Sequence, residues 1–256
     1  MRRSHYCFYL AMLFLSPASV ASSSETVLFP SEDGLSITAD IHAPHQNGKS
    51  PIIVLFHQAG SSRGEYTGIA LRLNELGYNC MAVDQRSGEQ SRGIENETAS
   101  RARQENRPTG YIEAFPDMKA ALAYARRHYG KDKVIAWGSS YSAALVLKIA
   151  GDYPAMVDGV LAFSPGEYFE RAGKSVTWIQ DSAHNIKAPV FITSSRTEAD
   201  SWADIMAAIE TSSKVSFVPA TDGRHGSRAL WKKYPDSDAY WYAVENFLIE
   251  YFPVSR

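Results

Sequence analysis

The chain has 256 residues, 45% of them hydrophobic and 21% charged, which is enough apolar sequence to build one sizeable core. The formal net charge is −2, with mixed signs and no long basic run, so nucleic acid is not an expected partner. Of the two cysteines only Cys80 lies beyond the N-terminal segment, so no intramolecular disulfide is expected in the mature chain.

The N-terminus, residues 1–21, has the pattern of a cleavable signal peptide. Two arginines precede an apolar run from Tyr6 to Leu15, and the small residues Ser19 and Ala21 stand at −3 and −1 of a cleavage site after Ala21. The run is shorter than the roughly 20 residues that a transmembrane helix needs. We therefore expect a secreted or periplasmic protein whose mature chain, residues 22–256, forms one domain without an integral membrane segment.

Predicted strands and helices alternate along the rest of the chain. Two alternating segments, Glu25–Pro30 and Leu35–Ala43, predict an antiparallel hairpin. The next predicted strands are Pro51–Phe56, Tyr78–Val83, Lys133–Trp137, Val157–Phe163, Pro189–Thr193 and Lys214–Pro219. The predicted helices are Glu65–Leu76, Tyr111–His128, Ala143–Ala150, Asp200–Thr211 and Ser237–Tyr251, and residues 84–108 are expected to form a long polar loop. This order predicts an α/β fold with a mostly parallel central sheet and helices on both faces.

The segment VIAWGSSYSAALVL, Val134 to Leu147, contains a candidate nucleophile. Ser140 lies between a short apolar strand and an apolar helix, with the small residues Gly138 and Ser142 two positions away on either side. The usual pattern of such an elbow is G-x-S-x-G, and serine replaces the second glycine here. A sharp turn of this kind lifts the serine hydroxyl clear of the sheet and places amides of the helix N-terminus beside it. The pattern favours Ser140 as a nucleophile.

A serine nucleophile needs a base and a carboxylate that orients the base. His225 lies in a turn-rich loop after the last predicted strand, from which it can reach over the carboxyl ends of the strands. Glu198 follows the strand that ends at Thr193, whereas Asp200 is better placed as the N-cap of the next helix. Glu167, which follows the preceding strand, is a third candidate. We favour Glu198 as the acid and keep Asp200 and Glu167 as alternatives.

Several segments between Ile52 and His225 resemble an α/β-hydrolase of the dienelactone-hydrolase-like group. They are VLFHQAGSS from Val54, DQRSG from Asp84, GSSYS around Ser140, and GRHG around His225, with the chain order serine, acid, histidine. The resemblance implies the α/β-hydrolase fold and hydrolysis of an ester-like bond without a metal or cofactor. Dienelactone hydrolases proper use a cysteine nucleophile, so the serine at position 140 favours ordinary esterase chemistry.

The resemblance also implies an oxyanion hole formed by backbone amides. The donors would be the N–H groups of Tyr141 and Ala59, or of Tyr141 and Gln58 if the loop is offset by one residue. His57 would then shape this loop rather than take part in proton transfer.

The segment between Phe163 and Pro189 has only about 25 residues, so a minimal lid and an open site are expected. Tyr168, Phe169 and Trp178 in this segment either line an acyl pocket or pack onto the sheet. Such a site is better suited to small or exposed substrates than to a substrate within a lipid bilayer.

Together these patterns predict an exported serine hydrolase that cleaves carboxylic ester-type bonds of small molecules through an acyl-enzyme. Peptidase, thioesterase and acyltransferase activities would use the same residues, and a non-catalytic binding protein with a hydrolase fold is the alternative from a different class. No cluster of His and Asp has metal-ligand spacing, so no metal is expected. Asn96-Glu97-Thr98 is a glycosylation sequon, relevant only in a host that secretes through an endoplasmic reticulum.

Overall fold

The computed structural model of the protein describes residues 24–45, 50–130 and 133–254. The predicted signal peptide, residues 1–21, lies outside the described residues, so export and the domain limits 22–256 stay predictions. Of the helices in the described ranges, none is long and apolar enough to cross a membrane.

Strands and helices alternate from the third strand onward. The strands are β1 (Glu25–Pro30), β2 (Ser36–His42), β3 (Ile52–Phe56), β4 (Asn79–Val83), β5 (Gln90–Ser91), β6 (Ile94–Glu95), β7 (Val134–Ser139), β8 (Gly159–Phe163), β9 (Val190–Thr193) and β10 (Lys214–Phe217). The α-helices are α1 (Thr67–Glu75), α2 (Glu97–Gln104), α3 (Phe115–His128), α4 (Tyr141–Asp152), α5 (Trp178–Ala183), α6 (Ala203–Ala208) and α7 (Ser237–Tyr251).

Eight strands form one sheet in the order β1-β2-β4-β3-β7-β8-β9-β10. The pairs β1–β2 and β2–β4 are antiparallel, and every later pair in this order is parallel. The predicted α/β fold, with a mostly parallel sheet and an antiparallel hairpin at its start, is therefore confirmed. Continuous apolar runs such as Ile52–Phe56 are buried along their whole length because helices cover both faces of the sheet.

Side chains of each strand alternate between two cores. Ile53 and Leu55 point to the face that α1 and α7 cover, whereas Val54 and Phe56 point to the face that α3 and α4 cover. The two-residue period of a strand thus divides one apolar run between two layers. Both cores hold the central strands rigidly, which fixes where the residues that follow each strand lie.

The strand register brings several strand ends to one edge of the sheet. Phe56 of β3 pairs with Gly138 of β7, and Phe163 of β8 pairs with Ser139 on one side and Thr193 of β9 on the other. Residues that follow these strands in the chain therefore gather at the carboxyl edge, where sites of open α/β sheets occur.

Residues 84–108 are not the long polar loop that the sequence predicts. They contain the two-stranded hairpin β5–β6, whose turn residues Arg92 and Gly93 both have positive φ, and the helix α2. Asn96 begins α2, because its Oδ1 accepts a hydrogen bond from Ala99 N at 2.8 Å. The prediction missed this helix because its composition is polar. Asn96 is buried and its amide also donates to Gln85 O, so the folded protein does not present the Asn96 amide to solvent.

Candidate active site

Ser140 occupies a strained turn between β7 and α4. Its φ is 59° and its ψ is −124°, a combination that costs about 1–3 kcal/mol for a residue with a side chain. A Cβ at Gly138 would lie 2.3 Å from Ser142 O and 2.6 Å from Ala143 Cα, so only glycine fits there. The Ser140 N–H donates to Phe163 O at 2.8 Å, which ties the turn to β8. The elbow geometry that the sequence predicts is present.

Glu198 and His225 form a hydrogen-bonded pair at the same edge. His225 Nδ1 lies 2.5 Å from Glu198 Oε1, and both side chains are about one-third exposed. Burial on its own would raise the pKa of Glu198, but hydrogen bonds from His225, Ser195 and Ser164 outweigh it and lower the pKa to about 2. The carboxyl is therefore ionised at neutral pH and holds Nδ1, which leaves Nε2 as the nitrogen that faces away from the acid.

Hydrogen bonds fix the loop of His225 against the strand that carries Ser140. Ser227 N donates to Ser139 Oγ at 2.9 Å, and the Trp137 indole donates to Ser227 Oγ at 2.8 Å. These contacts place the neighbours of His225 against the neighbour of Ser140. Within the described ranges Ser140 Oγ forms no hydrogen bond with His225 Nε2, and in many enzymes such a hydrogen bond tightens only when a substrate is bound.

Ser164 joins the acid to the histidine loop. Its hydroxyl donates to Glu198 Oε2 at 3.0 Å and accepts from Gly226 N at 2.9 Å. Ser164 is fully buried and has a φ of 56°, an uncommon conformation for a residue other than glycine. Ser164 is not among the residues predicted from the sequence, although its place directly after β8 at the carboxyl edge was a usable signal.

The two alternative acids point elsewhere. Asp200 is exposed and is not a helix N-cap, so that prediction was wrong: the 3₁₀ helix Arg196–Trp202 begins at Ser195, whose capping box uses Glu198. Glu167 accepts hydrogen bonds from Ile179 N at 3.0 Å and from the next amide at 2.8 Å, so it caps the start of α5. Of the three candidates only Glu198 contacts His225.

The amides expected to form an oxyanion hole differ in availability. Gln58 N donates to Glu65 Oε2 at 2.9 Å, which corrects the offset alternative, because an engaged N–H cannot also serve an oxyanion. The N–H groups of Tyr141, at the start of α4, and of Ala59 donate to no other described residue. Tyr141 and Ala59 are therefore the two candidate donors that remain.

His57 has the structural position that the resemblance implies. Its ring is fully buried, Nε2 accepts from Gln85 N at 3.2 Å, and Nδ1 therefore carries the proton that faces Gln58 O at 2.8 Å. Burial lowers the pKa of His57 to about 4, so the ring is neutral. Ser142 Oγ donates to His57 O at 2.7 Å, which joins this loop to α4.

The aromatic residues of the short lid segment mainly pack. Phe169 is buried and meets Trp178 edge to face, with 5.1 Å between the ring centroids. Tyr168 is 39% exposed, and its hydroxyl donates to Ser164 O at 2.7 Å. Phe169 and Trp178 thus follow the packing alternative, whereas Tyr168 lies next to the acid and the histidine loop. Nowhere in the described part of the chain do three or more His, Cys, Asp or Glu side chains group as a metal ion would need.

Comparison with known proteins gives a family match and several similar structures. The model of the alpha/beta hydrolase fold family matches residues 51–249. No curated protein sequence matches the chain. The Pyrococcus furiosus esterase Pf2001 is similar in structure, with a TM-score of 0.68, 18% identity and coverage of 94% of this chain and 97% of that chain.

Two further solved structures resemble the chain to a similar degree. The dienelactone hydrolase from Anabaena variabilis has a TM-score of 0.68 at 15% identity, over 90% of this chain and 98% of that chain. Thermogutta terrifontis esterase 2, in a form phosphoramylated by tabun, has a TM-score of 0.66 at 15% identity, over 94% of this chain and 98% of that chain. At these identities the likeness is one of fold.

Proposed function

The chain belongs to the α/β-hydrolase fold family, and on that premise we propose that it is a serine hydrolase of carboxylic esters. The observation that carries the proposal is the 2.5 Å hydrogen bond between Glu198 and His225, held by Ser164 and Ser139 against the strained turn of Ser140. A binding protein without turnover would have no use for an ionised carboxylate, an oriented imidazole and a strained serine at one edge.

In the first half of the reaction Ser140 Oγ attacks the acyl carbonyl carbon while His225 Nε2 takes the hydroxyl proton. Glu198 holds the ring with Nε2 forward and stabilises its charged form. The N–H groups of Tyr141 and Ala59 donate to the oxygen on which negative charge develops, each worth roughly 2.7–4 kcal/mol if they act as such donors generally do. His225 then gives its proton to the leaving alcohol, and an acyl group stays on Ser140.

In the second half water enters at the position that the alcohol has left. His225 takes a proton from the water as its oxygen attacks the acyl carbon, the same amides hold the oxyanion, and the proton returns to Ser140 Oγ when the acid leaves. Because Glu198 stays ionised throughout, only the histidine moves protons.

The substrate class that we propose is a small or exposed ester. Residues 164–189 contain only short helical turns and α5, so they cover little of the sheet edge. The proteins of similar structure include esterases and dienelactone hydrolases, which supports ester chemistry over other acyl transfers. Peptidase, thioesterase and acyltransferase activities use the same residues, and matched ester, thioester and anilide substrates separate them.

The function is tested by hydrolysis of p-nitrophenyl acetate and butyrate with the wild type and the His225→Ala variant. We expect turnover by the wild type and a loss of at least 10³-fold in the variant, as for other triads. Equal rates for the two folded proteins would refute the proposal. Export is proposed from residues 1–21 alone, and N-terminal sequencing of the mature protein should begin at Ser22.

A further inference from the structure

Glu65 is a fully buried carboxyl for which the reaction steps above have no role. It lies in the 3₁₀ helix Arg63–Tyr66, directly after the loop that carries Ala59. Its Oε2 accepts the hydrogen bond from Gln58 N at 2.9 Å. Its other oxygen, Oε1, accepts no well-aligned hydrogen bond from the described residues. Burial raises the pKa of the carboxyl, and the nearby hydroxyls of Ser139 and Ser61 offset part of that rise.

A buried carboxyl in this state is costly, because the positive charge of Arg228 offsets its removal from water only in part and the pKa of the carboxyl stays raised by burial. An apolar side chain of similar size could fill the same buried position without that cost. What an apolar side chain could not do is accept the hydrogen bond of Gln58 N. A function of Glu65 therefore depends on that contact.

Both ends of Gln58 are fixed, and together they set the direction of the next amide. The N–H of Gln58 is held by Glu65, and the carbonyl oxygen of Gln58 faces the Nδ1 proton of His57 at 2.8 Å. In a trans peptide the carbonyl and the following N–H point in opposite directions. Since the Gln58 carbonyl points to the buried His57 ring, the Ala59 N–H must point away from it.

Glu65 also lies where the catalytic segments meet. Ser139, beside the carboxyl, precedes the nucleophile and accepts the hydrogen bond of Ser227 N from the histidine loop. The main-chain oxygen of Glu65 accepts from the Trp231 indole at 3.1 Å, farther along the same loop. One residue thus contacts the oxyanion loop, the nucleophile strand and the segment that follows the histidine.

We propose that Glu65 is a positioning residue of the oxyanion hole, whose carboxyl holds the Gln58 amide so that the Ala59 N–H faces the developing oxyanion. The proposal rests on the proposed serine hydrolase function. It assigns Glu65 the task of accepting a hydrogen bond and no part in proton transfer. A side chain that can accept at the same distance should therefore preserve activity, and one that cannot should weaken the oxyanion hole specifically.

The test compares p-nitrophenyl butyrate with its thiono analogue, in which sulfur replaces the carbonyl oxygen. Sulfur is larger and accepts hydrogen bonds poorly, so an intact oxyanion hole favours the oxygen ester strongly, and a misplaced donor reduces that preference. The variants are Glu65→Leu, Glu65→Asp, whose shorter side chain withdraws the acceptor, and Glu65→Gln, which keeps one. Rates are divided by the number of sites that a fluorophosphonate titrates, so that unfolded protein does not count.

We expect Glu65→Leu and Glu65→Asp to lower kcat/KM for the oxygen ester by about 10–100-fold, up to the effect of losing one oxyanion donor. The thiono ester should lose less than threefold, so the preference for oxygen falls at least about threefold. Glu65→Gln should keep at least a third of both rates. The matched control is Glu97→Leu, which removes a carboxylate that is bonded to Arg63 and contacts neither Gln58 nor Ala59, and which should keep the preference of the wild type.

Three results would contradict the role of Glu65 or the proposed function, and they can be told apart. Equal loss of both rates in Glu65→Leu or Glu65→Asp would show a general structural role and overturn the proposal. Full activity in both variants would overturn it as well. A wild type that hydrolyses neither ester and takes no fluorophosphonate would instead refute the proposed function on which the role of Glu65 rests.

Discussion

Replacing Ser164 by alanine removes two hydrogen bonds that join the acid to the histidine loop. The hydroxyl donates to Glu198 Oε2 at 3.0 Å and accepts from Gly226 N at 2.9 Å. A hydrogen bond to a charged group is worth about 1.5–3 kcal/mol, and a buried N–H left without a partner costs about 1–3 kcal/mol. Glu198 is partly exposed, so water can replace the first bond in part. We expect Ser164→Ala to lower the free energy of unfolding by about 2–4 kcal/mol.

The same change should slow catalysis, because Gly226 is next to His225 and Glu198 sets the direction of its ring. We expect kcat/KM for p-nitrophenyl butyrate to fall about 10–100-fold per titrated site, a shift of about 1.4–2.7 kcal/mol in the barrier. Urea unfolding measures the first effect and ester hydrolysis the second.

The matched control for Ser164 is Ser194→Ala at the end of the neighbouring strand. The Ser194 hydroxyl accepts from the Trp202 indole at 2.8 Å and does not contact the acid or the histidine. This variant should lose stability while kcat/KM stays within twofold of the wild type. If Ser164→Ala loses stability but keeps its kcat/KM as the control does, the positioning argument is refuted.

Three further predictions concern the acid and the elbow. Glu198→Ala should lower kcat for ester hydrolysis by about 10²–10⁴-fold. Glu167→Ala should change kcat less than threefold, but in urea unfolding it should cost about 1 kcal/mol of stability because the cap of α5 is lost. The pKa of Glu198 is lowered to about 2 in the folded protein, so its contribution to stability is present above pH 4.5 and lost as the pH falls towards 2. Between pH 5 and 2 the wild type should therefore lose on the order of 2 kcal/mol more than Glu198→Gln in urea titrations, after allowance for partial exposure, and parallel losses would contradict this. Gly138→Ala should prevent folding or cost at least 3 kcal/mol in urea unfolding, because the new Cβ meets backbone atoms at 2.3 and 2.6 Å, and a stable, active variant would contradict the fit.

The parts of the site that the sequence predicted are those fixed by strand ends and turn chemistry. A strand followed by small residues and a helix places Ser140 at the carboxyl edge, and the same edge rule selects Glu198 and His225. The rule works because parallel strands in register bring their ends together, as the pairing of Phe163 with Ser139 and Thr193 shows.

The parts that the sequence did not predict depend on where polar side chains point. Glu65 was assigned to the start of the predicted helix Glu65–Leu76, and nothing in the neighbouring sequence indicates that its carboxyl turns inward to Gln58. Asp200 has the residue type and spacing of an N-cap, but Ser195 begins that helix earlier because Glu198 completes its capping box. The helix α2 was missed because its sequence, ETASRARQ, is polar and its Asn96 cap was interpreted as part of a sequon.

The most direct test of the central claim is the intact mass of the protein after reaction with a fluorophosphonate, for the wild type and for Ser140→Ala. We expect one covalent adduct on the wild type, mapped to Ser140 by digestion, together with loss of ester hydrolysis. For Ser140→Ala we expect no adduct and no turnover, with an unchanged circular dichroism spectrum. An adduct on another residue, or ester hydrolysis by the folded Ser140→Ala protein at the wild-type rate, would contradict it.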